Sequence, residues 1–133
     1  MRRRLLEMVV GVGLLTEACG ATAPSDIAAL ASGSWDVVLA STTTGELPAR
    51  MVLTEASGSV TGTLDVPLTE VTEVLSGSVT STGNMTLNYL DFRGERGLFV
   101  VTINSSGRTF SGTFTITSRV GDQNRGAIRG TKK

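Results

Sequence analysis

The stretch Ser106–Ser118, SGRTFSGTFTITS, decides the fold. From Thr109 it alternates without a slip. Phe110, Phe114 and Ile116 fall on one side with Gly112 between them, and Thr109, Ser111, Thr113, Thr115 and Thr117 fall on the other. Side chains on a strand point to opposite faces with period two. The stretch therefore reads as an antiparallel strand with an apolar inner face and a hydroxyl-covered outer face. Its opening, a glycine followed by an alternating run, recurs at Gly58–Thr63, Gly77–Thr82 and Gly126–Thr131. Turn glycines followed by such strands describe a β-meander.

Further strands are expected on the same alternation. The first is Ser34–Thr42, with Trp35, Val37 and Leu39 on one face; the second is Ala49–Ser57, with Met51 and Leu53 inward; the third is Ser59–Val66. The fourth, Val74–Thr82, puts Leu75, Gly77 and Val79 on one face. The fifth, Met85–Phe92, turns Met85, Leu87 and Tyr89 inward, and the sixth, Gly97–Asn104, does so with Phe99, Val101 and Ile103. The eighth is Gly126–Lys132, with Ile128 and Gly130 inward. Each strand has one apolar face, so closure into an all-β, antiparallel up-and-down β-barrel of about eight strands removes the exposed edges. The inward glycines Gly62, Gly77, Gly112 and Gly130 suit the bends of a small barrel.

Composition excludes several functions. The chain has 133 residues, enough for one domain with a core. Its 12 basic and 12 acidic residues balance, so no field is built for nucleic acid. There is no histidine, which removes the commonest general base and transition-metal ligand. The single cysteine, Cys19, permits neither an intrachain disulfide nor a cysteine-based zinc site. No metal and no cofactor are expected.

Arg2–Arg4, an apolar run from Leu5 to Leu15, and the small residues around Cys19 describe an export signal. The run is shorter than the ~20 apolar residues that span a bilayer. The segment resembles a bacterial lipoprotein signal, in which the cysteine is lipidated. That resemblance implies a membrane-anchored protein of the cell envelope with Cys19 as its anchor. The alternative is a cleaved secretory signal and a periplasmic or secreted protein. The organisation expected is a signal over 1–19, a tether and short helix over 20–32, and a barrel over 33–133, with Ser25–Ala31 as the helix.

Gly33-Ser34-Trp35 after a short helix looks like the Gly-x-Trp opening of lipocalins and of the avidin family, and the meander is similar to both. The resemblance implies a lipocalin-like barrel with Trp35 packed at its closed end.

Connections of two or three residues join strands 2–3, 4–5 and 6–7. Longer segments, Thr43–Pro48, Pro67–Glu73, Asp91–Arg96 and Arg119–Arg125, join the others. In a meander the two sets lie at opposite ends, so the long-loop end is expected to be open and to carry the functional residues. The interior residues either fill the barrel or line a small apolar pocket. The candidate ligand-binding residues are Leu39, Met51, Tyr89, Phe99 and Ile116, and Tyr89 is expected to be the one inward side chain with a polar tip. Arg93, Arg96, Arg119 and Arg125 are candidates for a protein partner. Val38, Val52, Leu90, Leu98 and Val100 stand on the outer face, where strands 1–2 and 5–6 could offer an apolar patch for self-association or cover for the tether.

Glu70 with Glu73, or Asp91 with Glu95, are the carboxylate pairs that acid–base chemistry would need. Loop carboxylates are mostly solvated surface, so catalysis is not expected. Asp122-Gln123-Asn124 reads as a turn rather than as a calcium loop. The sequence thus indicates a non-enzymatic exported barrel that binds a small apolar ligand or a protein partner at its long-loop end. A purely structural envelope lipoprotein is the alternative, and an enzyme comes third.

Overall fold

The computed structural model describes residues 26–133, so the signal, most of the tether and Cys19 lie outside the described residues. Eight strands follow in order: β1 (Gly33–Ser41), β2 (Gly45–Ala56), β3 (Ser59–Val66), β4 (Val71–Val79), β5 (Asn84–Leu90), β6 (Arg96–Ile103), β7 (Thr109–Thr117) and β8 (Gln123–Lys132). Each pairs antiparallel with the next. β1 closes the barrel on β8 from Trp35↔Lys132 to Ser41↔Gly126. Two short 3-10 turns, Ile27–Ala31 and Pro67–Thr69, complete the described chain, and none of its helices is long and apolar enough to cross a membrane.

The alternation read on β7 is the burial pattern of the fold. Phe110 and Phe114 are buried while Thr109, Ser111 and Thr113 are exposed. The inner faces of the strands meet in one apolar core whose largest fully buried members include Trp35, Phe99, Met51, Leu64 and Leu75. Burying each such side chain contributes about 1.5–3 kcal/mol. Inward glycines let neighbouring strands approach. A β-carbon on Gly112 would lie 1.9 Å from the Val100 carbonyl oxygen. At Gly97 it would lie 2.0 Å from the Tyr89 ring, which lies across it.

One end is plugged. The Ile27 N–H donates to the Ser81 carbonyl, Trp35 Nε1 donates to the Ala31 carbonyl at 2.9 Å, and the Glu55 N–H donates to Ser32 Oγ at 2.8 Å. Trp35 packs on Phe110 with ring centroids 4.8 Å apart, and Lys132 Nζ lies 4.9 Å from the Trp35 ring centre. Burial, helped by Arg108, holds the Lys132 ammonium below its ordinary pKa. The short helix expected over Ser25–Ala31 is this 3-10 turn over Ile27–Ala31.

Several connections differ from expectation. The link between β1 and β2 is only Thr42–Thr44, because β2 begins at Gly45 and runs through Pro48. Proline is tolerated there because β2 pairs with β3 only from Arg50 onward, so its first residues border an unpaired edge. β4 starts at Val71 and β8 at Gln123, three residues earlier than expected in each case. The contrast between long and short connections therefore largely vanishes. The Ile27–Ala31 turn closes one end, and a cavity occupies the other.

Candidate functional site

Two seams stop short of the open end. β2–β3 pairing ends at Arg50↔Asp65, and β4–β5 pairing covers only Ser76↔Asn88 to Val79↔Met85. Residues Val71–Leu75 keep their β3 partners but have no β5 ladder beside them. A cleft of about 440 Å³ opens along that seam between Glu70–Val74 and Leu90–Arg93. A larger cavity, about 510 Å³, occupies the mouth. Its apolar wall includes Leu39, Leu47, Leu64, Val66, Val71 and Ile116, and its polar wall includes Glu73, Tyr89, Arg93, Glu95 and Asn124.

Glu73 stands in β4 opposite Leu64 and is buried, facing inward. The expectation that it lies in a loop fails because β4 starts earlier. Tyr89 is consequently not the one inward side chain with a polar tip. Asn124 is another, since its pairing with Ile116 sets it on the inner face of β8. Both could have been found by extending the period-two register: Glu73 shares the parity of Leu75, Gly77 and Val79, and Asn124 that of Gly126, Ile128 and Gly130.

The connection between β5 and β6 wraps around Asp91. Asp91 Oδ1 accepts from the Arg93 N–H at 2.9 Å and the Glu95 N–H at 3.1 Å. This turn aims the Arg93 guanidinium back across the seam. Arg93 Nη2 donates to Asp91 Oδ2 at 2.7 Å and to Glu73 Oε2 at 3.1 Å, and lies 3.8 Å from Glu95 Oε2. Tyr89 Oη donates to Glu95 Oε2 at 2.6 Å. Oxygens of Glu73, Asp91 and Glu95 all lie within 4.8 Å of one another, the spacing of a cation site. Arg93 supplies the positive charge at that place.

Three carboxylates around one guanidinium push their protonation apart. Burial raises Glu73 to about 7, reinforced by its hydrogen bond to Asp91 and by the charges of Asp91 and Glu95, with Arg93 pulling the other way. Burial alone would raise Asp91 as well, but hydrogen bonds from Arg93, Glu73 and two backbone N–H groups outweigh it and hold Asp91 low. Burial, and then Glu95, keep the Tyr89 phenol protonated far above its ordinary range. The Asp91 hydrogen bond and charge raise Arg93 further.

The candidate residues are distributed unevenly. Leu39, Tyr89 and Ile116 line the mouth, whereas Met51 and Phe99 are fully buried below it. The four arginines do not converge. Arg93 belongs to the carboxylate cluster, Arg96 and Arg125 flank a groove on the outer wall, and Arg119 sits by Phe92 and Val120 at the rim. Of the proposed carboxylate pairs, Asp91 and Glu95 are joined through the turn, while Glu70 is exposed and outside the cluster. Asp122 closes the β7–β8 connection, its N–H donating to Ser118 Oγ at 3.1 Å, but Gln123 and Asn124, expected in the turn with it, belong to β8. Of the outer apolar residues, Val52, Leu98 and Val100 are about half exposed and Leu90 more so, but Val52 on β2 lies four strands around the barrel from Leu98 and Val100 on β6, so they do not form one patch.

No protein family and no curated protein matches the chain. Solved structures do match in fold. EF1p2_mFAP2b bound to DFHBI is 14% identical, with a TM-score of 0.59 over 84% of this chain and 100% of that one. The redesigned β-barrel b11L5F_LGL is 13% identical, with a TM-score of 0.59 over 81% and 96%. The redesigned β-barrel mFAP1 bound to DFHBI is 13% identical, with a TM-score of 0.55 over 80% and 99%. This chain is thus similar to small eight-stranded barrels in architecture.

Proposed function

We propose that this protein is a non-enzymatic exported barrel that binds a small, largely apolar molecule at its open end. The observation that carries the reading is the mouth cavity of about 510 Å³, apolar on one wall and polar on the other. Small-molecule sites commonly take this form, a concave apolar surface with a few placed polar groups. The barrel below the cavity is filled by Met51, Phe99 and their neighbours, which gives the cavity a packed floor. Two barrels of similar fold hold DFHBI. The carboxylates are committed to one another, to Arg93 and to Tyr89, which suits positioning better than turnover. Export rests on residues 1–19, with a lipid on Cys19 as the envelope anchor and simple secretion as the alternative. Metabolic palmitate labelling that does not differ between the wild type and Cys19→Ser rejects the anchor.

A second reading has the rim itself docking on a protein. It is favoured by Phe92, 97% exposed, beside Val120 and Arg119.

Melting temperatures across a panel of fatty acids, isoprenoids and aromatic probes test binding. A ligand at a hundredfold excess over its Kd stabilises the fold by about 2.7 kcal/mol. Ile116→Trp, which fills the mouth, abolishes the shift, and Arg119→Ala at the rim leaves it. A panel that never moves the wild-type melting point shifts the case to the rim.

A further inference from the structure

Resting on the binding reading above, we infer that the molecule held in the mouth cavity is an amphipathic organic cation: an apolar body carrying a primary or secondary ammonium group. The polar wall carries three carboxylates against one cationic side chain, among hydroxyls and amides that can donate or accept. Glu73 on β4, Glu95 from the β5–β6 connection and Asp122 from the β7–β8 turn face the cavity, with Asp91 directly behind the first two. Arg93 is the cation on that wall, and it is already shared among three carboxylates. Tyr89, the phenolic donor, is spent on Glu95. The other arginines near this end, Arg96, Arg119 and Arg125, border outer grooves rather than the cavity.

An independent observation lies on β8, across the barrel wall from the cluster. Asn124 Oδ1 is buried, points inward by its pairing with Ile116, and has no hydrogen-bond partner among the described residues. A buried acceptor without a donor costs about 1–3 kcal/mol, and since Asn124 lines the cavity, a rotation of its amide toward the mouth lets a ligand N–H remove that cost. The charge balance points the same way. Asp91 and Glu95, joined by Glu73 as it ionises, set two to three negative charges against the one positive charge of Arg93. A carboxylate head group entering this wall meets net repulsion, a neutral hydroxyl satisfies one acceptor without balancing charge, and an ammonium does both. Leu39, Leu47, Leu64, Val66 and Ile116 receive the apolar body.

The test is titration calorimetry on the full chain, using decylamine, decanol and decanoate as a series of one apolar length. Decylamine is expected to bind at least about tenfold more tightly than either of the others. Its affinity is expected to rise between about pH 5.5 and pH 8 with release of a proton, because Glu73, flanked by Asp91, Arg93, Glu95 and Tyr89, ionises in that interval while the amine stays charged. Glu73→Gln lowers decylamine affinity about tenfold, flattens the pH dependence and changes decanol affinity much less. Asn124→Leu weakens decylamine as well, and serves should Glu73→Gln fail to fold. Decanol or decanoate binding as tightly as decylamine, or an amine affinity indifferent to both substitutions, overturns the inference while leaving a binding barrel standing. Absence of binding by all three overturns the binding reading with it.

Discussion

Arg93 Nη2 donates to Glu73 Oε2 at 3.1 Å across the part of the β4–β5 seam where backbone pairing has ended. A side-chain contact thus spans a gap that the sheet leaves open. It joins the inner face of β4 to the turn that follows β5, and it lies where the seam cleft meets the mouth cavity, since both residues line both.

Stability should depend on pH through Glu73. Its pKa is about 4.5 in the unfolded chain and about 7 in the fold. Between these values the folded state keeps a proton that the unfolded chain has lost. Stability therefore falls as pH rises through this window and levels off above it. The loss attributable to Glu73 is about 3–4 kcal/mol, because each pH unit between the two values corresponds to about 1.4 kcal/mol. Denaturant melts of the wild type and Glu73→Gln across the window check this: the variant should lack that component, and parallel curves would exclude it.

Removing Arg93 should hurt most where the carboxylates are charged. Arg93→Met leaves Glu73, Asp91 and Glu95 facing one another without a counter-charge. The melting temperature should drop more near pH 8 than near pH 5, where Glu73 has taken up a proton. A drop of equal size at both pH values would assign Arg93 a packing role alone.

Phe114→Ala should cost about 3–5 kcal/mol, the usual loss for a buried phenylalanine. Thr115→Ala, on the opposite face of the same strand, should stay within about 1 kcal/mol. Chemical denaturation of both variants measures the contrast.

Gly112→Ala should destabilise by about 1–3 kcal/mol, because its methyl group would meet the Val100 carbonyl oxygen at 1.9 Å and push β6 from β7. Hydrogen exchange should show faster opening along the β6–β7 ladder. Exchange unchanged there would mean that the strands yield without cost.

The alternation of Phe110, Phe114 and Ile116 with threonines determined β7 before any contact was known, because the strand period is a local property of the backbone. The same rule determined the barrel: every strand with one apolar face needs a covered edge, and closure covers all of them. Trp35 at the plugged end and the inward glycines followed from pattern and resemblance. Only the tertiary structure decided the site. Whether Glu73 is a loop carboxylate or a buried one depends on where β4 begins, which is set by its pairing with β3, Leu64 opposite Glu73. Whether Arg93 meets Glu73 or a solvent-facing partner depends on the turn around Asp91 and on a seam left unpaired. Those are relations between segments 20 residues apart, and hydrophobic periodicity, which records only the face that each residue takes, carries no trace of which charges a closed barrel brings together.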